Sequence, residues 1–122
     1  MGDGQSRAGV PAVSRDELRA MRASGPPFKL VMASSDFGFR AKHIPGSIHL
    51  GPHGGHVEGL GKDDDIVVYC SNLDCNASIS AIAHLREQGY RNLRHYAGGL
   101  IDWEAAGLPV EGDWAVAPTG TS

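Results

Sequence analysis

The two cysteines of the chain, Cys70 and Cys75, are the residues best suited to chemistry. Cys70 directly follows an apolar run at 66–69, and apolar residues with the spacing of one helix face begin at about Ala77. A cysteine between a buried strand and the start of a helix meets unpaired backbone N–H groups and the positive end of the helix dipole. This setting stabilises a thiolate, the nucleophilic form of cysteine. The residues therefore indicate either a reactive thiol at position 70 or a small apolar side chain buried at a strand end.

The segment between the strand and the helix is a short polar loop that can curl over Cys70. The backbone N–H groups of such a loop can form a cradle for an anion. We predict an active-site loop formed by Ser71, Asn72, Leu73, Asp74, Asn76, Ala77 and Ser78, with Cys75 among them.

Alternating strands and helices must position this cysteine. Runs of β-branched and aromatic residues predict strands at 10–13, 28–33, 47–50, 66–69 and 92–96. A capping box formed by Ser14 and Glu17 predicts the first helix, and Gly89 is the expected left-handed cap of the helix that begins near Ala77. We predict a short helical turn at 34–42, with Phe37 and Phe39 packed inward, and a last helix after Gly98 and Gly99. The pattern indicates an α/β fold with a mainly parallel five-stranded sheet and helices on both faces. In such a sheet the site lies beyond the carboxyl ends of the strands.

Length and composition limit the classes of function. A chain of 122 residues predicts one domain, which we place at 10–112, with a disordered leader at 1–9 and a mobile tail at 113–122. The net charge of −3 gives no electrostatic reason for nucleic acid or an anionic membrane as a partner. No apolar run approaches the length that crosses a membrane. Two closely spaced cysteines favour a reducing compartment, so we expect a cytoplasmic protein.

Four segments resemble, in order, a single rhodanese (sulfurtransferase) domain. They are VSRDEL at 13–18, HIPGSIHL at 43–50, IVVYC at 66–70 and the closing segment at 89–112, which contains Gly98-Gly99 and Trp103. The resemblance implies that Cys70 is the catalytic nucleophile and carries sulfur as a persulfide. It also implies a small-molecule sulfur donor, a thiol or cyanide acceptor and a sulfur-relay protein as a further partner. No cofactor and no metal are expected.

The chain departs from that family in three respects. The usual Asp-Val-Arg triplet is replaced by Met32, Ala33 and Ser34, and the active-site loop is two residues longer than the common form. The loop contains Asp74 and no Lys or Arg, so we expect weak turnover of dianionic thiosulfate. Related phosphatases and arsenate reductases clamp an oxyanion with a loop Arg, and its absence here argues against those activities.

A second cysteine in a lengthened loop also occurs in some rhodanese-like domains. If the loop curls, its ends approach, and a disulfide needs Cα atoms about 4.4–6.8 Å apart. We therefore predict Cys75 as a resolving thiol for Cys70, against the alternative that Cys75 is a small apolar core residue.

Histidines raise a separate question. His49, His53 and His56 are close in sequence, but no regular element aligns them, so we predict a solvated loop rather than a metal site. We expect His84 and His95 to be packing or surface residues. The predicted function is a sulfurtransferase or persulfide carrier, and the alternative is a non-enzymatic rhodanese-like module with a binding or redox-regulatory role.

Overall fold

The computed structural model describes residues 9–25, 27–50, 60–71 and 77–114. Within these ranges strands and helices alternate along the chain. The strands are β1 (Lys29–Ala33), β2 (Ile48–Leu50), β3 (Asp65–Tyr69) and β4 (Asn92–His95), and the helices are α1 (Arg15–Ser24), α2 (Asp36–Ala41), α3 (Ala77–Glu87) and α4 (Gly99–Ala105).

The four described strands form one sheet in the order β2-β1-β3-β4, and all three pairings are parallel. The α/β fold and the parallel sheet are therefore confirmed, and β3, which leads to Cys70, is a central strand. The fifth strand predicted at 10–13 is wrong, because this segment forms only an isolated bridge between Ala12 and His95. Pro11 explains the difference, since it has no N–H to donate and can only accept a hydrogen bond from His95 N–H, at 2.9 Å.

Alternating side chains of the central strands feed two hydrophobic layers. In β3, Ile66 and Val68 face a layer that contains Ala81, Ile82 and Leu85 of α3. The alternate residues of β3, Val67 and Tyr69, face a layer that contains Leu18 of α1 and Leu100 and Trp103 of α4. Helices thus cover both faces, as the near-continuous apolar run of β3 predicts. Cys70, two residues after Val68, belongs to the α3 layer.

Two predictions about the helices are confirmed and one is wrong. The capping box is present, with the Glu17 N–H donating to Ser14 Oγ at 3.0 Å and the Ser14 N–H donating to Glu17 Oε1 at 2.8 Å. Gly89 has a φ of +97°, as expected for the end of α3. The inward packing of Phe37 is wrong, because this residue is 65% exposed while Phe39 packs against the α1–α4 layer. Residues two apart on a helix point in different directions, so α2 buries only one of them.

The closing segment fastens onto α2. His43 and Glu111 exchange two backbone hydrogen bonds of 2.8 Å, and the N–H groups of Asp113 and Trp114 donate to the carbonyls of Arg40 and Ala41. The predicted leader before Gly9 and the predicted tail beyond Trp114 lie outside the described residues. None of the helices that the structure describes is long and apolar enough to span a bilayer.

Candidate active site

Cys70 lies at the carboxyl edge of the sheet, immediately after β3, and is only 2% exposed. Its backbone direction is set by α4, because the N–H of Leu100 donates to the Cys70 carbonyl at 2.8 Å. The N–H of Ile101 donates to the carbonyl of the exposed Ser71 at 2.9 Å. The first turn of α4 therefore holds the point where the chain leaves β3 and enters the predicted active-site loop.

The Gly98-Gly99 pair allows α4 to begin so close to Cys70. Gly99 has a φ of +72°, a conformation that favours glycine. Gly98 is needed for a different reason, because a Cβ atom there would lie 2.8 Å from the Cβ of Asp102. Gly99 thus permits the positive φ angle, and Gly98 permits the close approach of the Asp102 side chain to the backbone.

The residue before Cys70 is also anchored. The Tyr69 hydroxyl accepts a 2.9 Å hydrogen bond from the backbone N–H of Ile44 and lies 2.7 Å from Ser47 Oγ. Burial raises the pKa of Tyr69 to about 12, an effect that the bonds from Ser47 and Ile44 partly offset. Through these hydrogen bonds the turn at 43–47 anchors the end of β3 on the face of the sheet opposite α3.

A chain of polar contacts leads from the sulfur of Cys70 into the core. Cys70 Sγ is 3.4 Å from Ser78 Oγ, and Ser78 Oγ is 2.8 Å from His95 Nε2. Ser78 belongs to the first turn of α3, and His95 is the last residue of β4. The three residues come from three different elements that meet on one face of the sheet. From the sequence, His95 was expected to be a packing or surface residue. The signal that could have indicated its inward position is its spacing of two residues from the apolar Leu93, which puts both side chains on one face of β4.

The predicted loop is only partly described. Ser71, Ala77 and Ser78 are described, whereas Asn72, Leu73, Asp74, Cys75 and Asn76 lie outside the described residues. Ala77 packs against the α3 layer. Cys70 takes part in a disulfide bond in this structure.

One of the departures noted in the sequence, the replaced triplet at 32–34, has a structural counterpart. Met32 and Ala33 are buried apolar residues of β1, each in a different hydrophobic layer, so apolar packing fills the place of the family's acidic residue. An ion pair of 2.9 Å joins Arg15, the first residue of α1, to Asp102 in the first turn of α4.

The histidine cluster is divided between described and undescribed residues. His49 Nε2 is 2.7 Å from the carbonyl oxygen of Ser34, and its ring stacks against Phe39 with centroids 4.9 Å apart. His53 and His56 lie outside the described residues. Among the residues with described positions, no three His, Cys, Asp or Glu side chains are grouped as metal ligands.

The sequence of this chain matches a known domain family and several known proteins. The family model for the rhodanese-like domain matches residues 14–106. The HTH-type transcriptional regulator Rv0324 of Mycobacterium tuberculosis is 32% identical over 102 residues, which cover 82% of this chain and 44% of the regulator. The thiosulfate sulfurtransferase GlpE of Actinobacillus succinogenes is 33% identical over 82 residues, which cover 66% of this chain and 72% of that enzyme. The chain thus spans less than half the length of the regulator.

A solved structure extends the likeness to three dimensions. The human single-domain sulfurtransferase TSTD1 superposes with a TM-score of 0.65 at 25% identity, covering 80% of this chain and 97% of the human one. The fold, the four sequence segments and the position of Cys70 after a central strand define the class. The chain belongs to the rhodanese-like domain family.

Proposed function

We propose that this domain is a sulfurtransferase or persulfide carrier in which Cys70 is the sulfur-carrying nucleophile. The observation that carries the proposal is the position of Cys70, buried at the carboxyl edge of a parallel sheet and beside the first turn of α3. Parallel α/β sheets hold their ligands at this edge. The relatives named as sulfurtransferases provide further support.

The proposed cycle has two balanced steps. The Cys70 thiolate attacks the outer sulfur of a donor, the donor's S–S bond breaks with its electron pair on the leaving group, and a Cys70 persulfide forms. Cyanide or a thiolate acceptor then attacks the terminal sulfur and releases Cys70 as a thiolate. Because only the thiolate can attack, a disulfide at Cys70 must first be opened by a thiol reductant.

Intact mass spectrometry tests the proposal. The protein is reduced, freed of reductant and incubated with sulfur donors of different charge, and one added sulfur atom should appear and disappear on addition of cyanide. Cys70→Ala should take up none, and Cys75→Ser is the matched control that should still load. Normal sulfur uptake and release by Cys70→Ala would show that the assignment is wrong.

A redox-regulatory module is the second candidate. Two observations favour it: the disulfide at Cys70 and the likeness to a protein named as a transcriptional regulator. Under this alternative Cys70 changes its redox state without passing sulfur to an acceptor. A protein that cycles between thiol and disulfide but acquires no sulfur from any donor would support this candidate against the first.

A further inference from the structure

Two polar side chains are deeply buried in the part of the chain that the structure describes, and both lie behind Cys70. Ser78 is 1% exposed and His95 is 4% exposed, while the other buried residues described are apolar, aromatic or Cys70 itself. Burying a hydroxyl and an imidazole costs free energy that apolar side chains at these positions would not incur. Polar groups that break the pattern of an apolar core are more common at functional sites than elsewhere.

The backbone positions of Cys70 and His95 are fixed by the strands that carry them. His95 is paired with Val68 in the β3–β4 register, and Cys70 is two residues beyond Val68 on the same face. The backbone of His95 is fixed on its other side, because its N–H donates to Pro11 and its carbonyl accepts from Val13, each at 2.9 Å. The imidazole therefore points toward α3 from a rigid position, within hydrogen-bond distance of Ser78 Oγ.

We propose that Ser78 and His95 form a proton relay that accepts the thiol proton of Cys70 when the nucleophile is generated. In the reduced protein the Cys70 S–H donates to Ser78 Oγ, and the Ser78 O–H donates to His95 Nε2. Transfer breaks the S–H bond, forms a new O–H bond on Ser78 and moves the original Ser78 proton to Nε2. The products are a thiolate, an intact serine hydroxyl and an imidazolium, so no proton is lost or gained.

After the transfer the hydrogen bonds reverse direction. The imidazolium donates to Ser78 Oγ, and the Ser78 hydroxyl donates to the Cys70 thiolate, which stabilises the anion by a charge-assisted hydrogen bond. Ser78 touches the reacting sulfur and is a catalytic residue, whereas His95 acts through Ser78 and is a positioning residue. The relay rests on the proposed function because it supplies the thiolate that sulfur transfer requires.

Other titratable and charged groups on the surrounding elements are badly placed to replace His95. Tyr69 faces the opposite layer, and Asp65 lies at the far end of β3. On α3, Arg86 and Glu87 are exposed and His84 is half-buried. On the adjoining segments, Arg94 is exposed, Tyr96 donates to Asp102, and Lys29 pairs with Asp64. Tyr90 is buried, and its ring lies against Lys62.

Alkylation of Cys70 at different pH values tests the relay. The rate of reaction of the reduced protein with iodoacetamide is measured in a Cys75→Ser background, where Cys70 is the sole thiol. Ser78→Ala and His95→Gln should each raise the pH midpoint of the reaction by about one unit. Ser78→Thr should keep the wild-type midpoint because it restores the hydroxyl. Ser80→Ala, which changes an exposed serine of the same helix, should have no effect.

A purely structural role gives a different result. If the Ser78–His95 bond only joins α3 to β4, the variants melt at lower temperature but Cys70 reacts with an unchanged pH midpoint, and the relay is overturned. The test needs no sulfur donor, so it is separate from the proposed function. Failure of the wild-type protein to load sulfur contradicts sulfur transfer, whereas an unchanged alkylation midpoint contradicts the relay.

A measurement in the protein with His95 intact covers the case in which the variants do not fold. The titration of the His95 ring is followed by NMR in the reduced Cys75→Ser protein and in the same protein with Cys70→Ser. A thiolate linked to His95 through Ser78 favours the imidazolium. The Cys70→Ser substitution removes this thiolate and should therefore lower the pH midpoint of the His95 titration. Identical His95 titrations with and without the Cys70 thiol would overturn the relay.

Discussion

The phenol of Tyr96 donates a 2.6 Å hydrogen bond to Oδ2 of Asp102, and this joins the end of β4 to the first turn of α4. Arg15 holds the other carboxylate oxygen of Asp102 at 2.9 Å. Burial raises the pKa of Tyr96, and its hydrogen bond to Asp102 raises it further. Since Leu100 of the same helix turn holds the Cys70 carbonyl, the position of Asp102 bears on the geometry of the candidate active site.

Gly98→Ala should destabilise the protein and disturb the site. The added Cβ would lie 2.8 Å from the Cβ of Asp102 and 2.9 Å from its Oδ2, and Asp102 cannot move away without breaking its bonds to Tyr96 and Arg15. We expect a loss of about 1–3 kcal/mol in the free energy of unfolding, measured with urea. Gly61→Ala is the matched control, because its Cβ would meet Asp64 at an ordinary 3.4 Å. Equal effects of the two substitutions would contradict the explanation.

Tyr69→Phe should weaken the anchor of β3. The substitution leaves the Ile44 N–H without the acceptor that it now contacts at 2.9 Å, and a buried unsatisfied donor costs about 1–3 kcal/mol. Urea unfolding at neutral pH measures the loss. Tyr90→Phe is a suitable control, since no hydrogen bond to its hydroxyl is present among the described residues and its ring contacts Lys62. A Tyr69→Phe protein as stable as the wild type would refute the anchor.

The same tyrosine predicts a dependence of stability on pH. Its pKa is raised from 10.0 to about 12, so the folded state retains the phenol proton where the unfolded chain has lost it. This contribution is fully present below pH 10 and is lost as the pH rises through the interval between these two values, at up to about 1.4 kcal/mol per pH unit. Between pH 10 and 11 the free energy of unfolding should fall more steeply for the wild type than for Tyr69→Phe. Parallel curves would contradict the prediction.

Asp74→Asn should raise the rate of sulfur uptake from thiosulfate. The predicted active-site loop contains this carboxylate and no Lys or Arg in its sequence, so a dianion should meet repulsion that a donor with less negative charge avoids. Removing one partly screened charge should contribute about 1 kcal/mol, or roughly fivefold in rate. A sulfur donor with less negative charge than thiosulfate serves as the comparison, and its rate should change less. A wild-type rate with thiosulfate that equals the rate with the best alternative donor would refute this prediction.

Cys75→Ser should alter the fate of an oxidised Cys70. In the wild-type protein, after reduction and removal of the reductant, mild peroxide should yield a disulfide that joins Cys70 and Cys75 in one peptide, because a resolving thiol traps sulfenic acid. Without Cys75 the sulfenic acid should advance to sulfinic acid. Peptide mass spectrometry distinguishes the products, with Ser71→Ala as the matched loop control. Unchanged oxidation products in Cys75→Ser would contradict the resolving role.

The sequence predicted those parts of the fold that depend on neighbouring residues. The capping box at Ser14, the glycine at 89 and the buried run before Cys70 are local signals, and the structure confirms all three elements. The prediction of a strand at 10–13 was wrong because Pro11 has no backbone N–H to donate, which limits the pairing of this segment with β4 to a bridge.

The polar contacts of the candidate site could not be predicted in the same way. Ser78 and His95 are 17 residues apart, and the distance between them depends on how α3 lies across β4. The sequence left His95 as a packing or surface residue, and its spacing of two residues from Leu93 shows only that the two side chains share one face of β4. Which side chain meets it there is a property of packing between elements, and no spacing along the chain encodes it.

The pairing of His43 with Glu111 also affects how the domain is made. The amino-terminal residues emerge from the ribosome first, and at usual rates of translation the later segments emerge seconds afterwards. During that interval α2 and the turn after it have been synthesised, but the backbone that fastens them has not. Truncation after Gly107 should therefore leave the region around Arg40 open to proteases, whereas truncation after Trp114 should protect it. The nascent chain can complete the surroundings of Cys70 only when nearly all of the described residues have emerged.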